Sequence, residues 1–275
     1  MSLLFVRSLC FLPLLRFGED LTAGSSIPPI DAFVWRPLGG GEMDLDRVFQ
    51  YFEVWKTRFS INGKIFGGDN DLTNDGRIYL LDKIFSLKGK RVLELGALEG
   101  GHSLMLSRLG AREVISVEGR LENFVKCCCI KDLFELHNVH FVLGDVNDVT
   151  LEGYGTFDII VAIGILYHLS DPARVLRNLS RMTTRLFIWT HCSDESYPDG
   201  PVRTVCSDGS SYQGKTYVEG GPREPLSGLE PFSFWPFEED LCGMIGDIGF
   251  SPKILDKGSL GEHRAKHCTI IATKE

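Results

Sequence analysis

From residue 91 onward, short apolar segments alternate with segments of helical periodicity. Strands are predicted at 91–96, 113–118, 139–144, 157–164 and 185–190. The helices predicted to follow them lie at 101–109, 121–135 and 171–182, the last with Pro172 in its first turn. Strands this apolar, alternating with helices, form a parallel sheet covered on both faces. Because crossovers between parallel strands are right-handed, the sequence predicts a doubly wound, mostly parallel α/β sheet.

Segments outside this alternation complete the expected organisation. A helix at 236–250 and strands at 252–257 and 267–274 bring the sheet to seven strands, and residues 44–90 are predicted to form a helical N-terminal extension. The segment 192–235 breaks the rhythm and predicts a lid, a binding loop or a disordered tract inserted after the fifth strand. Its aromatic residues would cover a bound ligand or belong to the core; they are Tyr212, Tyr217, Phe232, Phe234 and Trp235.

Residues 1–43 are expected to form an arm outside the domain. Their opening, MSLLFVRSLCFLPLLRFGED, is apolar but interrupted by Arg7 and too short and charged to cross a membrane. Three interpretations compete: an arm packed on the domain, a weak membrane-surface or targeting segment, and translation from upstream of a natural start near Met43. A terminal segment of this kind is expected to be poorly ordered.

Net charge and cysteine content disfavour two classes: proteins with a broad nucleic-acid-binding surface and proteins with a structural zinc site or disulfides. The 275-residue chain has a formal net charge of −8, which disfavours a broad phosphate-binding surface but leaves local basic patches, and therefore tRNA, compatible with the sequence. Three of the eight cysteines are adjacent, at 127–129, and no CxxC pair occurs. We therefore expect reduced thiols in a cytoplasmic protein and no structural zinc site.

The first predicted strand runs into a glycine-rich turn, RVLELGALEGGHSLML, at residues 91–106. Ligands of open α/β sheets bind beyond the carboxyl ends of the strands, where this turn lies. A dinucleotide would need glycine at Leu98, and an acid at Glu94 would repel a pyrophosphate, so NAD is weakly supported. A plain tight turn is the structural alternative. A cofactor with an amino group, a sulfonium and a ribose but no phosphate fits these residues better.

At this point the chain resembles the class I S-adenosylmethionine-dependent methyltransferases. VLELGALEGG resembles their motif I, with a departure at Leu98, where many members have glycine. Glu118 follows at about the ~20-residue spacing at which an acid reaches ribose hydroxyls in nucleotide-binding folds, and Asp145, in LGDV, ends the third strand, where the family holds the adenine amino group. Helix capping or a solvated position is the alternative for both acids.

This resemblance covers residues 75–191 and implies S-adenosyl-L-methionine as the cofactor. The residues implied to bind it are Glu94, Gly96, Ala97, Gly100, Glu118, Gly119, Asp145, Val146, Ile163 and Gly164. Arg77, just before the first strand, is a further candidate, because the arginine fork suits the cofactor's carboxylate. A surface salt bridge is the alternative for Arg77.

The segment FDIIVAIGILYHLSDP resembles motif IV of the family and implies that Tyr167 and His168 face the transfer site. His168 is the candidate general base because imidazole titrates near neutral pH; packing or orienting the cofactor is its alternative. His191 ends the fifth strand and is predicted to line the acceptor pocket. A metal site from His191, Cys192 and Asp194 is disfavoured because neighbours in sequence are not a diagnostic ligand set.

The sequence therefore predicts a cytoplasmic enzyme that transfers a methyl group from S-adenosylmethionine to an O or N atom of a small molecule. The alternative keeps the cofactor, or uses a carboxylated relative of it, and modifies wobble uridine in tRNA, since FSINGKIF and GILYHLSDP resemble enzymes with that activity. A third hypothesis is a non-catalytic binding or partner subunit with the same fold. Acceptor identity and oligomeric state stay open.

Overall fold

The structure is a computed structural model that describes residues 44–221, 224–260 and 265–275. The predicted arm 1–43 lies outside the described residues. Among the described residues, none of the helices combines the length and the apolar character needed to span a membrane.

The N-terminal segment combines helices with a β-hairpin, whereas the sequence predicted helices alone. Its elements are α1 (Leu45–Tyr51), β1 (Arg58–Ile61), β2 (Lys64–Gly67) and α2 (Gly76–Phe85). The helical extension predicted for 44–90 is interrupted after Tyr51, where α1 ends. The hairpin turns at Asn62 and Gly63, which both have positive φ, the conformation that Asn-Gly favours in two-residue hairpins. This dipeptide was the sequence signal for the hairpin.

The remaining elements follow the predicted alternation closely. The strands are β3 (Arg91–Leu95), β4 (Glu113–Glu118), β5 (Val139–Leu143), β6 (Ile159–Ile163), β7 (Arg185–Cys192), β8 (Val202–Ser207), β9 (Ser210–Val218), β10 (Phe232–Pro236), β11 (Ser251–Leu260) and β12 (Ala265–Thr273). The helices are α3 (Gly101–Arg108), α4 (Leu121–Leu133), α5 (Leu151–Tyr154), α6 (Pro172–Ser180) and α7 (Glu238–Asp247).

Seven strands form the central sheet in the order β11-β12-β7-β6-β3-β4-β5. The pairs β3–β4, β3–β6, β4–β5 and β6–β7 are parallel, and β12 is antiparallel to both its neighbours. The predicted doubly wound, mostly parallel α/β fold is confirmed. Strand order reverses between β3 and β6, and this switch point is where ligands of such sheets bind.

Both faces of the sheet are apolar because both are covered. Leu93 and Leu95 of β3 pack in the core beneath α6 and α7, while Val92 packs in the core on the opposite side with residues of α2, α3 and the hairpin. This two-sided burial explains why the parallel strands appear as continuous apolar runs in the sequence.

The segment predicted as an irregular insertion contains a second, three-stranded antiparallel sheet in the order β10-β9-β8. Two of its strands, β8 and β9, are rich in serine and threonine, so they lack the apolar alternation by which strands are recognised. Tyr212 and Phe234 are buried in the main core, whereas Phe232 is 51% exposed. The predicted aromatic residues therefore divide between core and surface.

A buried ion pair fastens the N-terminal segment to the sheet. The Glu99 carboxylate, in the turn after β3, accepts hydrogen bonds from the amides of Lys56 and Thr57. Lys126 of α4 donates to Glu99 over 3.3 Å and also to the carbonyl of Val54. Glu99 and Lys126 are both 0% exposed. Such a pair is tolerated in a protein interior when hydrogen bonds complete it, as they do here.

Candidate functional site

A cavity of about 410 Å³ opens at the carboxyl ends of the parallel strands, at the switch point between β3 and β6. This volume lies in the range of ligand sites, roughly 300–1,000 Å³. We call the part lined by the turns after β3, β4 and β5 the cofactor half. We call the part lined by the turn after β6 and the end of β7 the acceptor half. Residues 225–230, which we call the cavity loop, also line the cavity.

The turn after β3 forms the floor of the cofactor half. Gly96 has a φ of +77°, and a Cβ at this position would lie 3.3 Å from the Ile165 side chain. Leu98 has a φ of +52°, a left-handed conformation that glycine adopts readily. The departure at Leu98 therefore preserves the turn, with backbone strain that L-residues rarely bear.

Glu118 is at the end of β4 and presents its carboxylate to the cofactor half. One oxygen accepts from the amide of Arg120 and the other from the amide of Leu98, each over 2.8 Å. Each carboxylate oxygen can accept about two hydrogen bonds, so the carboxylate keeps acceptor capacity for a ligand. Burial raises the pKa of Glu118, while these hydrogen bonds to the charged form oppose the shift. The predicted spacing thus places an acid on the cavity wall.

Asp145 follows β5, and the capping position that the sequence offered as an alternative is present. Its Oδ1 caps the short 3-10 turn Val146–Asp148 by accepting from the amide of Asn147 over 2.8 Å. Asp145 also lines the cavity, together with the predicted residues Ala97, Gly119, Val146, Ile163 and Gly164.

Glu94 and Gly100 were predicted to bind the cofactor, but neither lines the cavity. Glu94 lies inside β3, one residue before the strand ends, and its carboxylate accepts from Ser116 over 2.6 Å and from Ser103. Burial raises the pKa of Glu94. Gly100 precedes α3 with a φ of +81°, and a Cβ there would lie 3.1 Å from Phe141. The structure therefore places both residues behind the cavity wall, and of the three acids implied to bind the cofactor, Glu118 and Asp145 line the cavity whereas Glu94 does not.

Arg77 lines the cavity and stacks on Trp189, with its guanidinium carbon 4.5 Å from the ring centroid. Its charge is paired with Asp75, which also contacts Nε2 of His102 at 2.9 Å. Burial raises the pKa of Asp75, but its hydrogen bonds with His102 and Arg77 outweigh that effect and hold the pKa well below its usual range. The salt bridge that the sequence offered as an alternative for Arg77 is present, on the cavity wall.

Aromatic rings form the wall of the acceptor half. The Tyr167 ring lies 4.4 Å from His191, and the Trp235 ring stacks on His191 with centroids 5.0 Å apart. Burial raises the pKa of Tyr167 to about 12 and lowers that of His191 to about 4. Tyr167 is therefore a hydrogen-bond donor and not a base at neutral pH. His191 is neutral there and a weak base.

His168 lines the cavity and has a carboxylate partner that sequence reasoning missed. Its Nδ1 lies 3.2 and 3.1 Å from the two oxygens of Glu219, which follows β9. Glu219 is 7% exposed. Burial raises the pKa of Glu219, but hydrogen bonds from His168 and the Gly228 amide outweigh burial and hold the pKa at about 2. The three predicted catalytic candidates, Tyr167, His168 and His191, thus share one wall, and His168 is paired with an ionised carboxylate.

The cavity loop closes one side of both halves. The Arg120 guanidinium donates to the carbonyls of Ser227 over 2.6 Å and of Gly228 over 2.9 Å. Leu229 packs against Gly119, where a Cβ would lie 2.7 Å from the leucine side chain. The cavity loop is therefore bound directly to the turn after β4.

The residues considered for a metal site diverge. The Cys192 thiol faces the Cys268 thiol in the core at 3.4 Å, and Asp194 pairs with Lys266. In the described part of the chain, no three His, Cys, Asp or Glu side chains are grouped as metal ligands.

Several cavity residues were not predicted. Trp189 precedes His191 by two positions on one strand, so strand periodicity was a usable signal for it. His102 directly follows the glycine-rich turn. The cavity loop falls in the segment 192–235, for which a lid or a binding loop was one of the interpretations. For Glu219, which contacts the cavity residue His168, no local signal exists, because the two residues are far apart in the sequence.

Comparison with known proteins indicates that this cavity belongs to a methyltransferase domain. The family model described as "Methyltransferase domain" matches residues 86–232. The tRNA U34 carboxymethyltransferase of Dichelobacter nodosus is 28% identical over 244 residues, which are 85% of this chain and 72% of that protein. The enzyme of the same name from Campylobacter hominis is 30% identical over 112 residues, which are 40% of this chain and 38% of that protein.

Among solved structures, the N-terminal domain of EvdMO1, determined in the presence of SAH and D-fucose, matches with a TM-score of 0.73 and 25% identity. That match covers 86% of this chain and 100% of the solved chain. In the structure of EvdMO1 itself, the match covers 47% of the solved chain.

Proposed function

The chain belongs to the class I S-adenosylmethionine-dependent methyltransferases, and from this premise we propose that its acceptor is a hydroxyl group on an uncharged, sugar-like small molecule. The membership makes the protein an enzyme with S-adenosylmethionine as its cofactor. The acceptor and the roles of individual residues are what we propose.

The cofactor half has the donor and acceptor groups that this cofactor needs. We assign the ribose hydroxyls to the Glu118 carboxylate, the adenine to the turn at Asp145 and Val146, and the carboxylate to Arg77. Gly96 keeps the floor open, since a side chain there would approach Ile165 and fill the turn. When bound, the cofactor supplies an electrophilic methyl group on a sulfonium, whose carbon–sulfur electron pair returns to sulfur as the methyl group leaves.

The observation that carries the proposal is the carboxylate-paired imidazole of His168 on the cavity wall. A hydroxyl acceptor benefits from losing its proton as its oxygen forms the new bond to carbon, and His168 is placed to take that proton. His191, with a pKa of about 4, is the weaker base. General-base catalysis typically contributes about 10²–10⁴-fold, whereas aligning the two reactants contributes about 7–11 kcal/mol.

The walls of the acceptor half favour an uncharged, partly apolar molecule. Trp189 and His191 present aromatic rings to the cavity, with Trp235 stacked on His191 behind the wall. The charge of Arg77, which we assign to the cofactor's carboxylate, is partly balanced by its pair with Asp75. Rings of this kind bind the apolar faces of a ligand, while Tyr167 and the imidazoles supply hydrogen bonds to its polar edge. The solved relative studied with D-fucose supports a sugar-like acceptor.

The test is a transfer assay with S-adenosylmethionine labelled in its methyl group. The acceptors are D-fucose and its glycosides, with the matching amino sugar and uronic acid as controls. We expect label in an O-methyl product from the neutral compounds and a loss of about 10²–10⁴-fold in kcat for His168→Gln. Transfer confined to the amino sugar or the uronic acid would overturn the assignment of a neutral hydroxyl acceptor.

A second candidate is modification of wobble uridine in tRNA with a carboxylated relative of the cofactor. The relatives from Dichelobacter nodosus and Campylobacter hominis carry the name of that activity. To distinguish this candidate from the sugar-like acceptor, unmodified tRNA is incubated with either cofactor and digested, and the nucleosides are analysed. A new uridine derivative would establish this candidate in place of the sugar-like acceptor.

A further inference from the structure

We propose that Glu219 is a positioning residue, which fixes the His168 imidazole for proton transfer and links it to the cavity loop. This inference rests on the proposed function of His168 as a base. Glu219 is outside every element that carries the methyltransferase motifs, and it reaches the site from the second, three-stranded sheet.

The first step is the protonation state of the pair. With a pKa of about 2, Glu219 is ionised at neutral pH and accepts hydrogen bonds only. Nδ1 of His168 must therefore carry the proton in this contact, which leaves the lone pair on Nε2. A proton taken from an acceptor hydroxyl then arrives at Nε2, and the resulting imidazolium is balanced by the carboxylate at 3.1 Å.

The second step is the link to the cavity loop. Oε2 of Glu219, besides contacting His168, accepts from Ser227 Oγ over 2.9 Å and from the Gly228 amide over 2.6 Å. Gly228 lies so close that a Cβ there would be 2.7 Å from the His168 carbonyl oxygen and 3.1 Å from the Glu219 carboxyl carbon. One buried carboxylate therefore orients both the imidazole and the loop beside it.

The third step extends this network to the cofactor half. The Arg120 side chain holds the carbonyls of Ser227 and Gly228, and the Arg120 amide donates to Glu118. A continuous set of hydrogen bonds thus runs from Glu118, through Arg120 and the cavity loop, to Glu219 and His168. The cavity loop is positioned from both sides of the site, so a change at Glu219 affects the base directly and the loop at the same time.

The test compares Glu219→Gln with wild type. The amide keeps the shape of the side chain but removes the charge that favours the imidazolium. We expect kcat to fall about 10–100-fold, the range found for carboxylates that orient metal-binding histidines. We also expect the acid limb of the kcat–pH profile to move to lower pH, while the dissociation constant for S-adenosylhomocysteine changes less than kcat. Glu219, Tyr167 and His191 face the imidazole, and the substitution alters only the first. Glu152→Gln, at a surface ion pair with Arg181, is the matched control and should leave all three quantities unchanged.

A double-mutant cycle with His168→Gln separates positioning from general damage. If Glu219 acts through His168, Glu219→Gln lowers kcat in the wild-type background and has little further effect in His168→Gln. An equal loss in both backgrounds would overturn the inference. If His168→Gln alone leaves kcat unchanged, the proposed base fails, and that outcome is distinct from a failure of Glu219.

Gly228→Ala tests the same link without altering charge and stays informative if Glu219→Gln does not fold. The added methyl group would press on the His168 carbonyl and on Glu219. We expect a loss in kcat that exceeds the change in cofactor affinity, with the melting temperature showing that the fold persists. Wild-type kcat in this variant would show that the loop and the base are not coupled.

Discussion

The two halves of the cavity are built in different ways. Each wall of the cofactor half is a short turn that directly follows a strand of the central sheet, and its polar groups are held by backbone amides close in sequence, as Glu118 is held by Arg120. The acceptor half is assembled from side chains of separate elements, for example His191 of β7 stacked on Trp235 of β10. The cofactor half is formed by the central sheet alone, whereas the acceptor half depends on the packing of the second sheet against the central sheet. Binding of the cofactor and choice of acceptor therefore depend mainly on different residues, which are joined through the cavity loop.

The largest effect is expected at Glu118, and it sharpens this comparison. Glu118→Ala removes the proposed ribose contact and leaves the amides of Leu98 and Arg120 without their acceptor. Charge-assisted hydrogen bonds contribute about 1.5–3 kcal/mol each, so affinity for S-adenosylhomocysteine should fall at least about 100-fold in calorimetry. His168→Gln, the matched change in the acceptor half, should keep cofactor affinity near that of wild type. Equal losses in both variants would mean that the halves are not separable.

A smaller effect concerns the stability of the acceptor half in acid. Burial lowers the pKa of His191 from 6.5 to about 4, so the unfolded chain binds a proton more readily than the folded protein. The resulting stability is fully present above pH 6.5 and is lost as the pH falls toward 4, by up to about 2 kcal/mol after allowance for partial exposure.

Urea unfolding at pH 7 and pH 5 measures this effect. His191→Phe, which cannot titrate, should lose less free energy of unfolding between the two pH values than wild type does. His140→Phe, at an exposed position on β5, controls for the removal of an imidazole. If wild type and His191→Phe lose the same free energy of unfolding between pH 7 and pH 5, His191 is not the group responsible.

The smallest effect is expected in the turn after β3. Leu98 has a positive φ of 52°, which glycine adopts without strain, so Leu98→Gly should raise the free energy of unfolding by up to about 1 kcal/mol. Leu143→Gly, on a strand with ordinary backbone geometry, should lower it. If chemical denaturation shows Leu98→Gly to be as destabilising as Leu143→Gly, the Leu98 side chain contributes more to the free energy of unfolding than its backbone strain costs.

These differences also explain what the sequence could predict. The central sheet and the cavity positions of Gly96, Glu118 and Asp145 were predictable because apolar strands and the turns that end them are local patterns. Glu94 is in the same motif, yet its carboxylate accepts hydrogen bonds from Ser103 and Ser116 and does not line the cavity. No local sequence pattern indicates these contacts.

The acceptor half shows the opposite limit. Tyr167 was found through the resemblance to motif IV, and His191 because it ends a predicted strand. The carboxylate beside His168 comes from a segment whose polar strands resemble an irregular loop. Its position depends on packing between two sheets, which is information that no single stretch of residues contains.

The buried pair of Glu99 and Lys126 has a consequence for defining a minimal enzyme. Residues 54–57 supply hydrogen bonds that complete that pair, and Asn70 and Leu72 of the same segment reach the cavity. A fragment beginning at residue 91, where the alternation of strands and helices starts, would remove the hydrogen bonds that complete this pair, uncover the core on that side of the sheet and open one wall of the pocket. The smallest fragment that folds and is active therefore starts upstream of residue 54. The N-terminal extension 44–90, which lies outside the alternation of strands and helices, is needed for the fold and for the cavity.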